Sequence, residues 1–282
     1  VSAASTGVAA EKLKAIASFS ILADLVAQVS GDHVDVSALV GPDGDAHVFQ
    51  PSPQDAKSIA DAKLVVTNGL GLEGWMARLI QSSGTKAVVI VASKGVRPIE
   101  GEGEDKGKSD PHAWQSIANA KIYVANIRDG LVAADPADKA DYEANAKAYL
   151  AKLDQLEAEV KAAIASIPQK NRKIITTHDA FGYFARAYGM TFIAPQGVST
   201  ETEPSAKEVA KIIRQVKAQR VPAVFLENIS DPRLMEQIAR EGGAKIGDKL
   251  YSDALSKPDR GAATYIDMMH NNIAAFTKAL KQ

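Results

Sequence analysis

Ala137-Asp-Lys-Ala-Asp-Tyr-Glu-Ala-Asn-Ala-Lys-Ala-Tyr-Leu-Ala-Lys-Leu-Asp-Gln-Leu-Glu-Ala-Glu-Val-Lys-Ala-Ala-Ile-Ala-Ser-Ile167 is an uninterrupted stretch rich in alanine and charge. Its apolar residues Tyr142, Ala146, Tyr149, Leu153, Leu156, Val160 and Ile164 recur every three or four positions. That period predicts one long amphipathic helix, opened near Asp135-Pro136 and stopped by Pro168. About 30 residues at 1.5 Å each span roughly 45 Å. A helix of that reach acts as a strut between two bodies; the plainer arrangement lays it flat along one of them.

Short apolar strands alternate with helical patterns on both sides of the strut. Before it, Ala15–Phe19, Val34–Val40, Leu64–Thr67 and Ala87–Val91 read as strands; after it, Lys173–Thr177, Thr191–Ala194, Ala223–Leu226 and Lys249–Ser252 do. Helical patterns follow near Phe181–Tyr188, Ser205–Arg220, Pro232–Glu241 and Thr264–Leu280. Strands separated by helices imply βα units and a parallel sheet. Ser52, Pro53 and Asp55 form one helix start, and Ser205 with Glu208 after Pro204 forms another. The expected fold is therefore α/β, with two lobes, each a parallel sheet flanked by helices, joined by a long rigid helix. The lobes are placed at 11–135 and 169–282, the linking helix at 136–168, and each lobe is expected to have its own core.

The overall composition narrows the partner. Of 282 residues, 33 are basic and 34 acidic, giving a net charge of -1, so no bulk field attracts nucleic acid or an anionic membrane. Cysteine is absent, which excludes disulfides, thiolate zinc sites and iron–sulfur clusters and leaves nitrogen and oxygen as metal ligands. The small-residue opening Val1–Ala10 resembles what remains after signal-peptide removal, predicting an exported, periplasmic protein. No run of eighteen apolar residues is present to span a bilayer.

Four side chains able to bind a metal, His47, His112, His178 and Asp253, each lie just beyond a strand-like stretch, two in each half. Ligands of open α/β sheets gather at the carboxyl ends of strands. His47 sits in Val40-Gly-Pro-Asp-Gly-Asp-Ala-His-Val-Phe-Gln-Pro-Ser-Pro53, a loop stiffened by glycine and proline, and Pro111 and Trp114 restrain His112 in the same way. Each alone is equally compatible with an ordinary loop residue; together they predict one site assembled between two halves. Asp179 reads as a helix N-cap or as an acceptor for a histidine ring N–H, and Glu227 and Asn228 as supporting groups or caps. Glu201 and Glu203 fit a helix start. His33, in a turn, and His270, on the last helix, read as surface residues. Gly101–Asp110 reads as a solvated loop.

Gly41-Pro-Asp-Gly-Asp-Ala-His47, Asn68-Gly-Leu-Gly-Leu-Glu73, Asp110-Pro-His-Ala-Trp114, His178-Asp-Ala-Phe-Gly-Tyr-Phe184, Ser199-Thr-Glu-Thr-Glu-Pro-Ser205 and Leu250-Tyr-Ser-Asp-Ala-Leu255 occur in this order. They resemble the signature segments of the cluster A-I zinc/manganese solute-binding proteins of ABC-type metal importers, over essentially the whole chain after its first ten residues. The resemblance implies two α/β lobes joined by a rigid helix, with one divalent ion between them held by His47 and His112 from the first lobe and His178 and Asp253 from the second. It implies a monomer that delivers the ion to a membrane permease powered by an ATPase subunit, not an enzyme. Manganese-directed members usually present glutamate where this chain has His178, and three imidazoles with one carboxylate suit zinc. The histidine-rich loop of many zinc binders is missing near His112, so manganese or dual binding stands as the alternative. A zinc hydrolase is the reading from another class, though neither HExxH nor HxxEH occurs and four protein ligands leave little room for substrate. Iron chelates, haem or corrinoids would need a wide aromatic and arginine-lined cleft. An adhesive surface role has no sequence feature in its favour.

Overall fold

The computed structural model describes residues 12–101 and 105–281; the exported-tail reading of Val1–Ala10 and the centre of the 101–110 loop lie outside them. The first sheet contains β1 (Leu13–Phe19), β2 (Val34–Val40), β3 (Leu64–Thr67) and β4 (Val88–Val91), in the order β2-β1-β3-β4. The second contains β5 (Lys173–Ile175), β6 (Thr191–Ile193), β7 (Ala223–Val224) and β8 (Lys245–Ile246), in the order β6-β5-β7-β8. Every pairing is parallel, and the winding is the same in both. Ala15–Phe19 is buried throughout, as expected of a central strand covered by helices on both faces.

The helices are α1 (Ser20–Ser30), α2 (Pro53–Asp61), α3 (Met76–Ser83), α4 (Ile117–Ala134), α5 (Lys139–Ala165), α6 (Gly182–Tyr188), α7 (Ala206–Gln219), α8 (Arg233–Gly242) and α9 (Tyr265–Leu280). The long helix is α5: 27 residues, about 40 Å, with Tyr142, Ala146, Tyr149, Leu153, Leu156, Val160 and Ile164 all buried along one stripe. Both expected capping boxes form. Ser52 and Ser205 each accept the backbone N–H three residues on, and Asp55 and Glu208 return the bond.

The expectation of one core per lobe is not met. A single apolar cluster takes in the first sheet, α1, α4, the buried stripe of α5, and from the second half Phe181, Phe184, Phe225, Leu250, Met268 and Phe276. Only the outer layer of the second sheet has a separate core, in which Ile212, Val216 and Ile238 pack over Ile175 and Val224. The last helix causes this continuity: α9 packs against both α5 and α1, and Tyr265 donates its backbone N–H to Asp24 at 2.7 Å.

Three local expectations are corrected. The eighth strand is Lys245–Ile246, not Lys249–Ser252, which makes a lone parallel bridge from Leu250 to Glu227. Helix α6 begins at Gly182, too far along for Asp179 to cap it; Asp179 instead donates its backbone N–H to the Gly197 carbonyl. The 101–110 loop is not merely solvated, because Asp105 reaches the second half and accepts the Val198 N–H at 3.0 Å.

Candidate metal centre

The segments carrying the four candidate ligands converge between the two sheets. His112, His178 and Asp253 are fully buried and His47 is 5% exposed. His47 Nε2 lies 3.3 Å from His112 Nε2 and 3.1 Å from Asp253 Oδ2; His178 Nε2 repeats these distances, 3.3 and 3.1 Å. His112 Nε2 to Asp253 Oδ2 is 3.5 Å. Five of the six edges of a four-cornered cage are thus nearly equal. The other oxygen of Asp253 is buried with no hydrogen-bond donor facing it.

Two of the three imidazoles are backed by a carboxylate. Asp110 Oδ1 takes both the His112 backbone N–H at 2.9 Å and Nδ1 at 2.8 Å, so the proline between them closes a loop that leaves Nε2 pointing inward. Glu227 does more. Its Oε1 accepts the N–H groups of Thr177 and His178, and its Oε2 accepts the Ser252 hydroxyl at 2.7 Å. The same Oε2 lies 2.6 Å from His178 Nδ1, close but off the line of a good hydrogen bond. One buried carboxylate therefore ties the His178 strand end to the Asp253 loop. Trp114 Nε1 and Gln115 Nε2 both donate to the Ser252 carbonyl, which pins that loop to the first half. A carboxylate behind a ligating imidazole fixes its orientation and raises its basicity.

The Asn68–Glu73 segment supports His112 from below. Gly69, Leu70 and Gly71 all have positive φ, at 84°, 55° and 88°, and a side chain on Gly69 would strike Val91. This turn wraps the Glu73 carboxylate, which accepts the N–H groups of Asn68 and Gly69 and the Ser18 hydroxyl. Asn68 Nδ2 then reaches the Pro111 carbonyl at 2.9 Å, one residue before His112.

Electrostatics favour a cation. Asp110, Glu227 and Asp253 are buried here, and no lysine or arginine is buried among the described residues. Burial alone would depress the His112 imidazole, but Asp253 and Asp110 overcome it and push it up to about 9. His178 is likewise raised well above its usual range against burial, by Glu227 and Asp253. Burial would raise Asp253, yet the two imidazoles hold it well below the ordinary carboxylate range. Protons on the rings thus stand in for the positive charge that the cage needs.

Sequence reasoning missed Asp110 and Asn68 as supporting groups. The only signal was their place inside the quoted segments; nothing in residue type distinguishes Asp110 from the acidic loop before it. Asn228 does not support the ligands directly. Its amide donates to Asp43 Oδ1 across the cleft and, within its own half, to the carbonyl of Ala254 beside Asp253. Glu201 and Glu203 lie outside the cage, beside a surface hollow. His33 pairs with Asp138 and Asp141 on the surface, and exposed His270 pairs with Glu159.

The chain was compared with known proteins. Residues 16–279 match the family described as ZnuA, zinc-uptake complex component A, periplasmic. The manganese-binding lipoprotein MntA of Halalkalibacterium halodurans is 35% identical over 273 residues, covering 96% of this chain and 90% of that one. The periplasmic zinc-binding protein TroA from Treponema pallidum superposes with a TM-score of 0.92 at 27% identity, over 96% of this chain and 100% of that one. A manganese-bound periplasmic metal-binding protein from Candidatus Liberibacter asiaticus gives 0.84 at 32% identity, over 95% and 99%. A match of this extent, on a fold with two like-wound sheets and a long helix, places the chain in the zinc-uptake complex component A family.

Proposed function

We propose that this protein captures a divalent transition-metal ion outside the cytoplasm, in the periplasm, and hands it to an ABC permease driven by its ATPase subunit. His47, His112, His178 and Asp253 are the ligands, the two lobes at 11–135 and 169–282 supply two each, and the protein acts as a monomer. The family consists of substrate-binding components of ABC transporters, and the chain is not an enzyme. The observation that carries the metal reading is the buried cage of three imidazole nitrogens and one carboxylate oxygen, with carboxylates behind two of the rings.

Zinc is the ion we favour. A tetrahedron with edges of about 3.3 Å has corners about 2.0 Å from its centre, the length of a zinc–nitrogen bond. Manganese is the second reading, supported by the free Oδ1 of Asp253, which offers an additional oxygen to an ion preferring more of them, and by the names of relatives such as MntA. Among the described residues no helix is long and apolar enough to cross a membrane.

Equilibrium dialysis followed by elemental analysis tests the binding: the chain should retain one ion per molecule, and His47→Ala and His178→Ala should retain none. Stoichiometric retention by both variants would refute the ligand assignment. Because zinc outranks manganese at almost any nitrogen and oxygen site, coordination number tests the tetrahedral reading: X-ray absorption of the zinc-loaded protein should show four ligands at about 2.0 Å, and a five- or six-coordinate shell would favour manganese.

A further inference from the structure

Two aspartates of the loop that carries His47, at alternate positions, tie it to the opposite side of the cleft. Asp43 donates its backbone N–H to the Leu255 carbonyl at 2.9 Å, and its carboxylate accepts the Asn228 amide at 3.0 Å. Its φ of 58° is left-handed, a conformation that aspartate tolerates better than most residues. Leu255 lies two residues beyond Asp253. Asp45 uses both oxygens: Oδ1 accepts the His47 N–H at 2.9 Å, and Oδ2 accepts the Thr200 hydroxyl at 2.6 Å.

The second contact continues inward. Gln196 Nε2 donates to the carbonyls of Thr200 and Thr202, both at 3.0 Å, and Gln196 bridges in parallel to His178. His47 and His178 are thus joined twice, through the cage and through a path around its outside: His47 N–H, Asp45, Thr200, Gln196, His178. The outer path contributes no atom to the cage, so it acts on ligand position and loop opening, not on the donor set.

We propose that Asp45 and Thr200 are positioning residues that form an interlobe latch over the cage and set how fast the bound ion leaves. The inference rests on the metal-binding reading above. Opening the His47 loop requires breaking the Asp45–Thr200 bond, and hydrogen bonds to a charged group are among the stronger ones. With the latch cut, only the Asp43 contacts with Leu255 and Asn228 still hold the loop across the cleft, and His47 swings out more readily while the other three donors remain.

The test is stopped-flow release of Co²⁺, and separately of Zn²⁺, into excess chelator from wild type, Thr200→Val and Thr200→Ser, together with the Co²⁺ visible spectrum of each. Thr200→Val should release the ion roughly tenfold faster or more, the effect of losing one charge-assisted bond. Thr200→Ser, which keeps the hydroxyl, should release it at close to the wild-type rate. All three should share one cobalt spectrum, because the donor set is unchanged. A wild-type rate in Thr200→Val overturns the latch, as does equal acceleration in Thr200→Ser. A wild-type chain that binds neither ion overturns the metal reading itself, and the latch with it.

Discussion

The two halves of the molecule are wound alike but built unequally. In the first sheet the strands are seven, seven, four and four residues long; in the second they are three, three, two and two. The first half gives its histidines from loops, and Asp110 needs only to close one short turn around His112. The second half has too little ladder to hold its candidate ligands, and Glu227 takes the ladder's place by accepting two strand-end N–H groups and tying in Ser252. Where a sheet is short, a buried carboxylate can do the work of strand pairing and of ligand orientation at once. The longer sheet separates the two tasks.

The largest effect expected is that of Asp253→Ala. Both rings from opposite halves share its Oδ2, so this change should weaken metal binding by more than about a thousandfold, the loss of one ligand with its charge; competition against a chelator of known affinity measures it. Glu227→Ala against Asp110→Ala comes next. The first strands three buried donors, the N–H groups of Thr177 and His178 and the Ser252 hydroxyl, and the second strands two, the backbone N–H and ring Nδ1 of His112, each costing about 1–3 kcal/mol. Urea unfolding of the metal-free variants should therefore show the larger loss for Glu227→Ala, by about half as much again, and equal losses would break the contrast between the halves. For both, metal affinity should fall roughly 10–100-fold.

Acid should weaken the site in a defined window. The His112 imidazole is raised from 6.5 to about 9 and His178 is raised well above its usual range, so an ion binding at neutral pH must displace protons. Apparent affinity should climb as pH rises towards about 9, by up to roughly tenfold per unit for each proton displaced. The sign for stability is opposite in the metal-free chain: the His112 contribution is complete below 6.5 and is lost as pH rises through about 9. Calorimetric titration in two buffers of different ionisation heat counts the protons released, and a buffer-independent heat would contradict the assignment. The smallest effect is expected from Ser205→Ala, at about 1 kcal/mol for a lost N-cap. It should appear as faster amide exchange in α7 without change in the first half, since α7 packs in the small separate core.

Much of this organisation was legible in the sequence, and the exceptions have physical causes. All four strands of the first sheet and the buried stripe of α5 follow from period and β-branched runs, because burial there is strongly patterned. The eighth strand escaped because both its residues, Lys245 and Ile246, are exposed, while the apolar run Leu250-Tyr251 is buried for another reason, the bridge to Glu227. The four separated candidate ligands were singled out as residues beyond strand-like stretches, although in the fold only His178 closely follows a strand: His112 lies well past Val91, and the stretch before Asp253 makes only a lone bridge. Asp110 and Asn68 were not singled out, because their roles depend on one ring nitrogen and one carbonyl that only the folded turn brings near. The continuous core was equally hidden: nothing in the pattern of α9 says that its apolar face meets α1 as well as α5.

That last contact has a consequence for how the chain is completed. The helix that closes the main core against α1 follows every other described helix in the chain, and the bond from Tyr265 to Asp24 joins positions 241 residues apart. A nascent chain can wind its first sheet early, but α1 and α5 keep an open apolar face until residues 265–280 emerge. Closure of this core is therefore gated by residues 265–280, and a chain cut before Tyr265 should behave as an unfinished, chaperone-dependent intermediate even though its first sheet is intact.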